Sequence, residues 1–134
     1  LLQVGSLAQA ADDAQAIWKF ATSHTDTLAL REFADTVEKE LGLACEWSWH
    51  DQVDIAKGGN SKGKRLRQWV ESQGLSMDQV VAFGDNYNDI SMLEAVGLGV
   101  AMGNADDAIK ERADLVIADN LQPGIAEVIR TRVL

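Results

Sequence analysis

Cysteine is nearly absent from this sequence: Cys45 is the only one in 134 residues. A lone cysteine excludes an internal disulfide and any CxxC metal or redox pair. It stands in an alternating stretch, so packing is its expected role, and a single thiol fits a reducing cytoplasm. Positive charge is also scarce, since 12 Lys and Arg against 21 Asp and Glu leave a formal net charge of −9. That balance argues against nucleic acid or an anionic membrane as partner, because both call for a cationic face. The one basic concentration, Lys62, Lys64, Arg65 and Arg67, has the spacing of a solvated helix face. No apolar run nears the ~20 residues that span a bilayer. At Leu1 there is neither a Met nor a basic segment leading into an apolar one. No signal peptide is therefore expected, and the abrupt start suggests a piece of something longer.

What remains has the profile of a globular protein, 46% hydrophobic and 25% charged. Its length suits one domain, or one small domain plus part of another. Residues 7–16 are Ala-rich and helix-prone, and residues 17–22 have strand character. A helix follows through Gly42, capped by Thr25 or Asp26, with Leu28, Leu30, Phe33, Val37 and Leu41 at roughly helical spacing. In "LACEWSWH", Leu43, Cys45, Trp47 and Trp49 alternate with Ala44, Glu46, Ser48 and His50, a half-buried strand whose Trp face is expected to be core. "QVDIA" continues it antiparallel after a turn at His50 and Asp51.

Beyond Gly58-Gly59-Asn60 the texture changes. A helix capped by Ser61 and stopped at Gly74 precedes the strand "QVVAFG" and the helix "DISMLEAVG". The strand "GVAMG", the helix "ADDAIKERA", the strand "DLVIA" and a helix opening at Pro123 complete the chain. Short alternating strands and helices predict an α/β fold with a Rossmann-like parallel sheet. The strands are apolar throughout, as expected when both faces are covered. The expected division is 1–57 as an open α+β layer and 58–134 as the parallel core.

In such sheets ligands bind beyond the carboxyl ends of the strands. "VVAFGDNYND" places Asp85 just there, with Asn86, Asn88 and Asp89 crowded behind it. Helix capping explains one or two polar residues at a helix start, but not four. Alone, the turn leaves capping and a metal site equally open. Lys62 adds a second element: it lies in the first turn of a helix behind two glycines, where backbone N–H groups and an ammonium can hold an anion. An exposed helix-start lysine is the simpler explanation of Lys62 alone. The pair together suits phosphate beside Mg²⁺, an ion that takes a few carboxylates plus water and phosphate oxygens.

"SKGKRL" followed by "VVAFGDNYNDISMLEAVGLGVAMGNADDAIKERADLVIADN" resembles the last motifs of the haloacid dehalogenase superfamily, in its Cof-type phosphatase branch, over about residues 54–134. Residues 1–57 resemble the second half of the cap that such enzymes insert. Lys57 and Asn60 stand where the family often has Pro and Val. The resemblance implies a Mg²⁺-dependent hydrolase that acts through an aspartyl-phosphate on a small phosphorylated metabolite, pyridoxal phosphate or a sugar phosphate. It assigns Asp85 as direct Mg²⁺ ligand, Asp89 as orienting groups around the ion without touching it, Asn88 as a substrate-phosphate contact, and Lys62 as the charge that neutralises phosphate and nucleophile. The nucleophile itself would be the first Asp of a DxDGT motif, which does not occur in these residues. It would ride on a strand beside the one ending at Phe83. The chain is thus expected to be inactive alone, and to self-associate or retain a missing N-terminal half. Two other readings stay open: a non-catalytic phosphate- or partner-binding module, and a receiver-like domain. In the latter the lysine should follow the acidic turn, whereas Lys62 precedes it.

Overall fold

The computed structural model describes residues 5–134. The first four residues of the segment assigned to the cap lie outside the described residues, as does the start at Leu1.

The first half builds one antiparallel sheet. Strands β1 (Phe20–Ser23), β2 (Leu43–Trp49) and β3 (Gln52–Lys57) lie in the order β1-β3-β2. Helix α2 (Thr27–Leu41) covers one face of it. Asp26 caps α2, its Oδ1 accepting from the N–H groups of Leu28 and Ala29 at 3.1 Å each. Gly42 ends the helix at φ +62°, a left-handed conformation that glycine takes without a Cβ clash. Leu30, Ala34 and Val37 of α2 bury against Val53 and Ile55 of β3, with Leu43, Cys45 and Trp47 of β2 alongside. The period of two therefore leaves Ala44, Glu46, Ser48, Asp54 and Ala56 on the opposite, open face.

Trp49 departs from the expected alternation. Trp47 pairs with Val53 and Trp49 with Gln52, so Ser48 is an extra residue, a bulge that turns Trp49 out of the core to 57% exposure. Cys45 packs as expected, and burial, then Glu38, pushes its thiol pKa up, away from reactivity.

The second half builds the parallel sheet. Strands β4 (Val81–Gly84), β5 (Leu98–Ala101) and β6 (Leu115–Val116) lie in sequence order. Helix α3 (Lys62–Ser72) starts at its Ser61 cap, whose Oγ accepts from Lys64 N–H at 3.2 Å. Helices α4 (Ile90–Leu93) and α5 (Asp107–Lys110) pack Leu93 and Ile109 with Ala82 and Ala105 as the core of this half. Gly63 makes the α3–α4 approach possible: a Cβ there would lie 2.0 Å from the Ser91 carbonyl oxygen.

Several elements are shorter than their sequence patterns predict. Helix α1 (Leu7–Asp12) stops early, where Asp12 and Asp13 oppose the negative end of the helix dipole. Strand β1 begins only at Phe20. Helix α4 is cut short because Gly97 N–H donates to the Met77 carbonyl at 2.8 Å, drawing the chain back into β5. Helix α6 (Gly124–Val128) passes into a π-helical turn over Ile129–Val133. Among the described residues, no helix is long and apolar enough to cross a membrane.

Candidate active site

Strand β4 delivers the chain to the carboxyl edge of the parallel sheet, and Gly84 lets it fold back sharply. A Cβ on Gly84 would come within 2.6 Å of Asp89 Cβ. The 3₁₀ turn Tyr87–Asp89 then brings Asp89 under its own approach. Asp89 is buried, and its Oδ2 accepts from the N–H groups of Asp85 and Asn86 at 3.1 Å each. Its Oδ1 accepts from Lys62 Nζ. One carboxylate thus closes the acidic turn and fixes the ammonium. Charge-assisted bonds of this kind are the strong ones.

Lys62 Nζ also donates to Asn88 Oδ1 at 2.9 Å. That fixes the Asn88 amide, whose Nδ2 donates to Ser48 Oγ at 3.3 Å. Lys62, Asn88 and Asp89 form one cluster, and Ser48 joins it to the open face of the antiparallel sheet. The Lys62 side chain keeps 47% of its exposure, so its one remaining N–H can meet an anion.

Asp85 lies on the other side of the turn. Asn104 Nδ2 donates to its Oδ2 at 3.0 Å, while Asn104 Oδ1 accepts from Asn120 N–H at 3.2 Å. A small cavity of about 70 Å³ opens over Asp85, Asn86 and Asn104, with Ser48 and Trp49 at its margin. Tyr87 braces the turn, its hydroxyl donating to Asp106 Oδ2 at 2.8 Å, and that bond raises the phenol's pKa. Among the described residues, no three His, Cys, Asp or Glu side chains converge into a protein cage for a metal. The donor chemistry nonetheless fits magnesium. Asp85 is a hard oxygen donor beside open space, whereas both oxygens of Asp89 are already engaged by Lys62 and two backbone N–H groups.

Sequence reasoning did not single out Ser48, Asn104 or Gly63. Asn104 follows a strand at the same carboxyl edge as Asp85, so the strand-end rule could have found it. Ser48 and Glu46 alternate with Trp47, a signal that marks a face but not what that face meets.

A profile of the haloacid dehalogenase-like hydrolases matches residues 5–129. The chain is 64% identical over 132 residues to the pyridoxal phosphate phosphatase YbhA of Escherichia coli, covering 98% of this chain and 48% of that protein. It is 36% identical over 116 residues to the 5-amino-6-(5-phospho-D-ribitylamino)uracil phosphatase YcsE of Bacillus subtilis, covering 87% of this chain and 47% of that one. Among solved structures, a haloacid dehalogenase-like hydrolase from B. subtilis superposes with a TM-score of 0.85 at 28% identity, over 96% of this chain and 46% of that one. The chain spans about half the length of the curated relatives it matches.

Proposed function

Because the chain belongs to the haloacid dehalogenase-like hydrolases, we propose that the whole protein is a Mg²⁺-dependent phosphomonoester hydrolase. Its substrate is a small phosphorylated metabolite, pyridoxal phosphate or a sugar phosphate. Residues 1–57 serve as part of a cap and 58–134 as part of the catalytic core. The attacking carboxylate, which forms the aspartyl-phosphate, comes from outside this chain, since no DxDGT motif lies within it.

The observation that carries this reading is the shared anchor at the end of β4, where Lys62 is held by Asp89 and Asn88 while Asp85 stands apart with Asn104. Phosphoryl transfer needs positive charge and donors arranged around a spread negative charge. Lys62 supplies an ammonium oriented in advance, so little reorganisation is needed as charge develops. Asn88 contacts the phosphate and holds Lys62 in place. Asp89 keeps the backbone of the acidic turn closed through two N–H bonds. Asp85 is the direct ligand for Mg²⁺, with Asn104 orienting its carboxylate. The bound ion would neutralise phosphate oxygens and the attacking carboxylate. The names of the two curated relatives, both phosphatases of small phosphorylated compounds, support this substrate class.

The test is Asp85→Ala in the full-length protein, assayed with p-nitrophenyl phosphate and Mg²⁺. Turnover should fall to background while thermal unfolding stays close to wild type. Wild-type turnover at ordinary Mg²⁺ would remove Asp85 from the site.

A further inference from the structure

The open face of the antiparallel sheet carries two carboxylates with no place in the chemistry above. Glu46 of β2 and Asp54 of β3 stand directly opposite in register. Like charges so placed in a sheet are destabilising. Ala21, Ala44 and Ala56 occupy neighbouring positions on this face, and small side chains leave room above them. A cavity of about 400 Å³ lies there, lined by Lys19, Glu46 and Asp54 on the sheet side and by Lys62 and Asn88 of the anchor. That volume suits a small metabolite.

Asp54 is only 8% exposed. Its Oδ2 accepts from Lys19 Nζ at 2.7 Å and from Ser48 Oγ at 2.9 Å. Its Oδ1 is buried with no hydrogen-bond partner among the described residues. The Gln52 side chain, on the same face of β3, comes near the carboxylate without making a hydrogen bond of full geometry to Oδ1, and a buried acceptor so poorly paired carries much of its desolvation cost. Burial works against ionisation of Asp54, but the bonds from Lys19 and Ser48, the Lys19 charge and the nearby Gln52 side chain outweigh it and hold the carboxyl below its usual range. Burial raises the neighbouring Glu46, against the pull of Lys62. Asp54 is therefore an ionised acceptor at neutral pH. Lys19 is 57% exposed, so withdrawal of its ammonium, or rotation of the Asp54 carboxylate, presents an oxygen to the cavity without main-chain movement.

We infer that Asp54, with Glu46 beside it, is a specificity-determining residue that accepts a hydrogen bond from the alcohol part of the phosphomonoester. The donor is a hydroxyl or a protonated ring nitrogen, and the phosphate end sits at Lys62 and Asn88. The inference rests on the phosphatase reading. Ser48 links the two ends, since it donates to Asp54 and accepts from Asn88.

The experiment compares wild type and Asp54→Asn in the full-length protein with Mg²⁺. Three substrates are used: p-nitrophenyl phosphate, which lacks a donor on its alcohol part, pyridoxal 5′-phosphate and ribitol 5-phosphate. Loss of one charge-assisted bond should lower kcat/KM at least about tenfold on a donor-bearing substrate, mainly through KM, and leave p-nitrophenyl phosphate within about twofold. A loss on ribitol 5-phosphate points to an alcohol hydroxyl as the donor, and a loss on pyridoxal 5′-phosphate alone to a donor on its ring. Equal loss on all three substrates, or none, would overturn the inference and leave the phosphatase reading standing. A wild-type protein that hydrolyses none of them would remove that reading and the inference with it. If Asp54→Asn fails to fold, Glu46→Gln is measured for the same ratio, and an unchanged ratio there counts against the inference.

Discussion

Lys62 shows how one side chain is committed before any ligand arrives. Its ammonium spans Asp89 and Asn88, so the same residue ties the acidic turn together and, on the proposed reading, offers charge to an anion. Lys62→Met keeps most of the stem and removes the charge. In the full-length protein this should lower kcat/KM for a phosphomonoester by about 100-fold or more, as loss of a preorganised electrostatic group does. The melting temperature should fall much less, because Lys62 is half exposed and its pair with Asp89 is partly screened. Unchanged kinetic constants would make Lys62 a surface residue. Asp54 gives a pH prediction of definite sign. Its folded-state pKa lies below the unfolded value, so its contribution to stability is present above the ordinary carboxylate pKa of about 3.9 and is lost as pH falls through the folded value. Glu46 is raised, so its contribution has the opposite sign: full at low pH and lost as pH rises through its folded pKa. Urea unfolding from pH 7 to pH 3 should show a shallower acid-side loss for Asp54→Asn and a steeper one for Glu46→Gln. Parallel curves for both variants would contradict these assignments.

Elements reach the site through close approaches that few substitutions would spare. Gly63 lies in the first turn of α3, where a Cβ would stand 2.0 Å from backbone of α4. Gly63→Ala must push the helices apart, at a cost of about 1–3 kcal/mol as for other overpacked contacts. It should also draw Lys62 from Asn88 and lower activity. Arg67→Ala, on the exposed side of α3, should stay within about 0.5 kcal/mol in the same urea titration. If Gly63→Ala matches it, the approach is softer than its geometry implies. The same contrast explains what the sequence made legible. Helix α2 was legible because its apolar spacing and its Asp26 and Gly42 signals are local. So were β2, β3 and the acidic turn after β4. Helices α4 and α5 are shorter than their sequence patterns because their ends are set by distant backbone, such as the Gly97 bond to Met77. The bulge at Ser48 leaves no mark in the period-two pattern, which predicts a core Trp49 where the structure has an exposed one. In the site, the motif named Lys62, Asp85, Asn88 and Asp89, but not which would touch which. That Asp89 is consumed by Lys62 and two N–H groups depends on how the turn folds back at Gly84.

At the scale of the whole molecule, the parallel sheet has an open side. Strand β4 pairs with β5, and among the described residues no strand pairs with its other edge. That edge carries Val81, Ala82 and Phe83 and a row of backbone groups with nothing opposite, a template for another strand. It is also the strand whose end bears Asp85, so whatever pairs there stands beside Asp85 and the Lys62 anchor. A strand from outside these 134 residues, bearing the attacking carboxylate, would satisfy the edge and complete the charge balance around Lys62 in one step. Made alone, the 134-residue chain should therefore self-associate through this edge, or copurify with a coexpressed chain that carries a DxDGT strand. On the proposed reading Asp85 would be the single direct carboxylate, too little to hold a reluctantly dehydrating ion well, so Mg²⁺ binding should be weak. Turnover of p-nitrophenyl phosphate should be at background. The chain would be verified by mass, sized by light scattering with and without coexpressed upstream sequence, and assayed with Mg²⁺. Turnover by the verified chain alone would show that its own residues supply the nucleophile. A clean monomer would dispose of the open-edge argument and leave the catalytic one intact. Activity that returns only in the complex of the two pieces is the expected result, because the edge and the reaction call for the same strand.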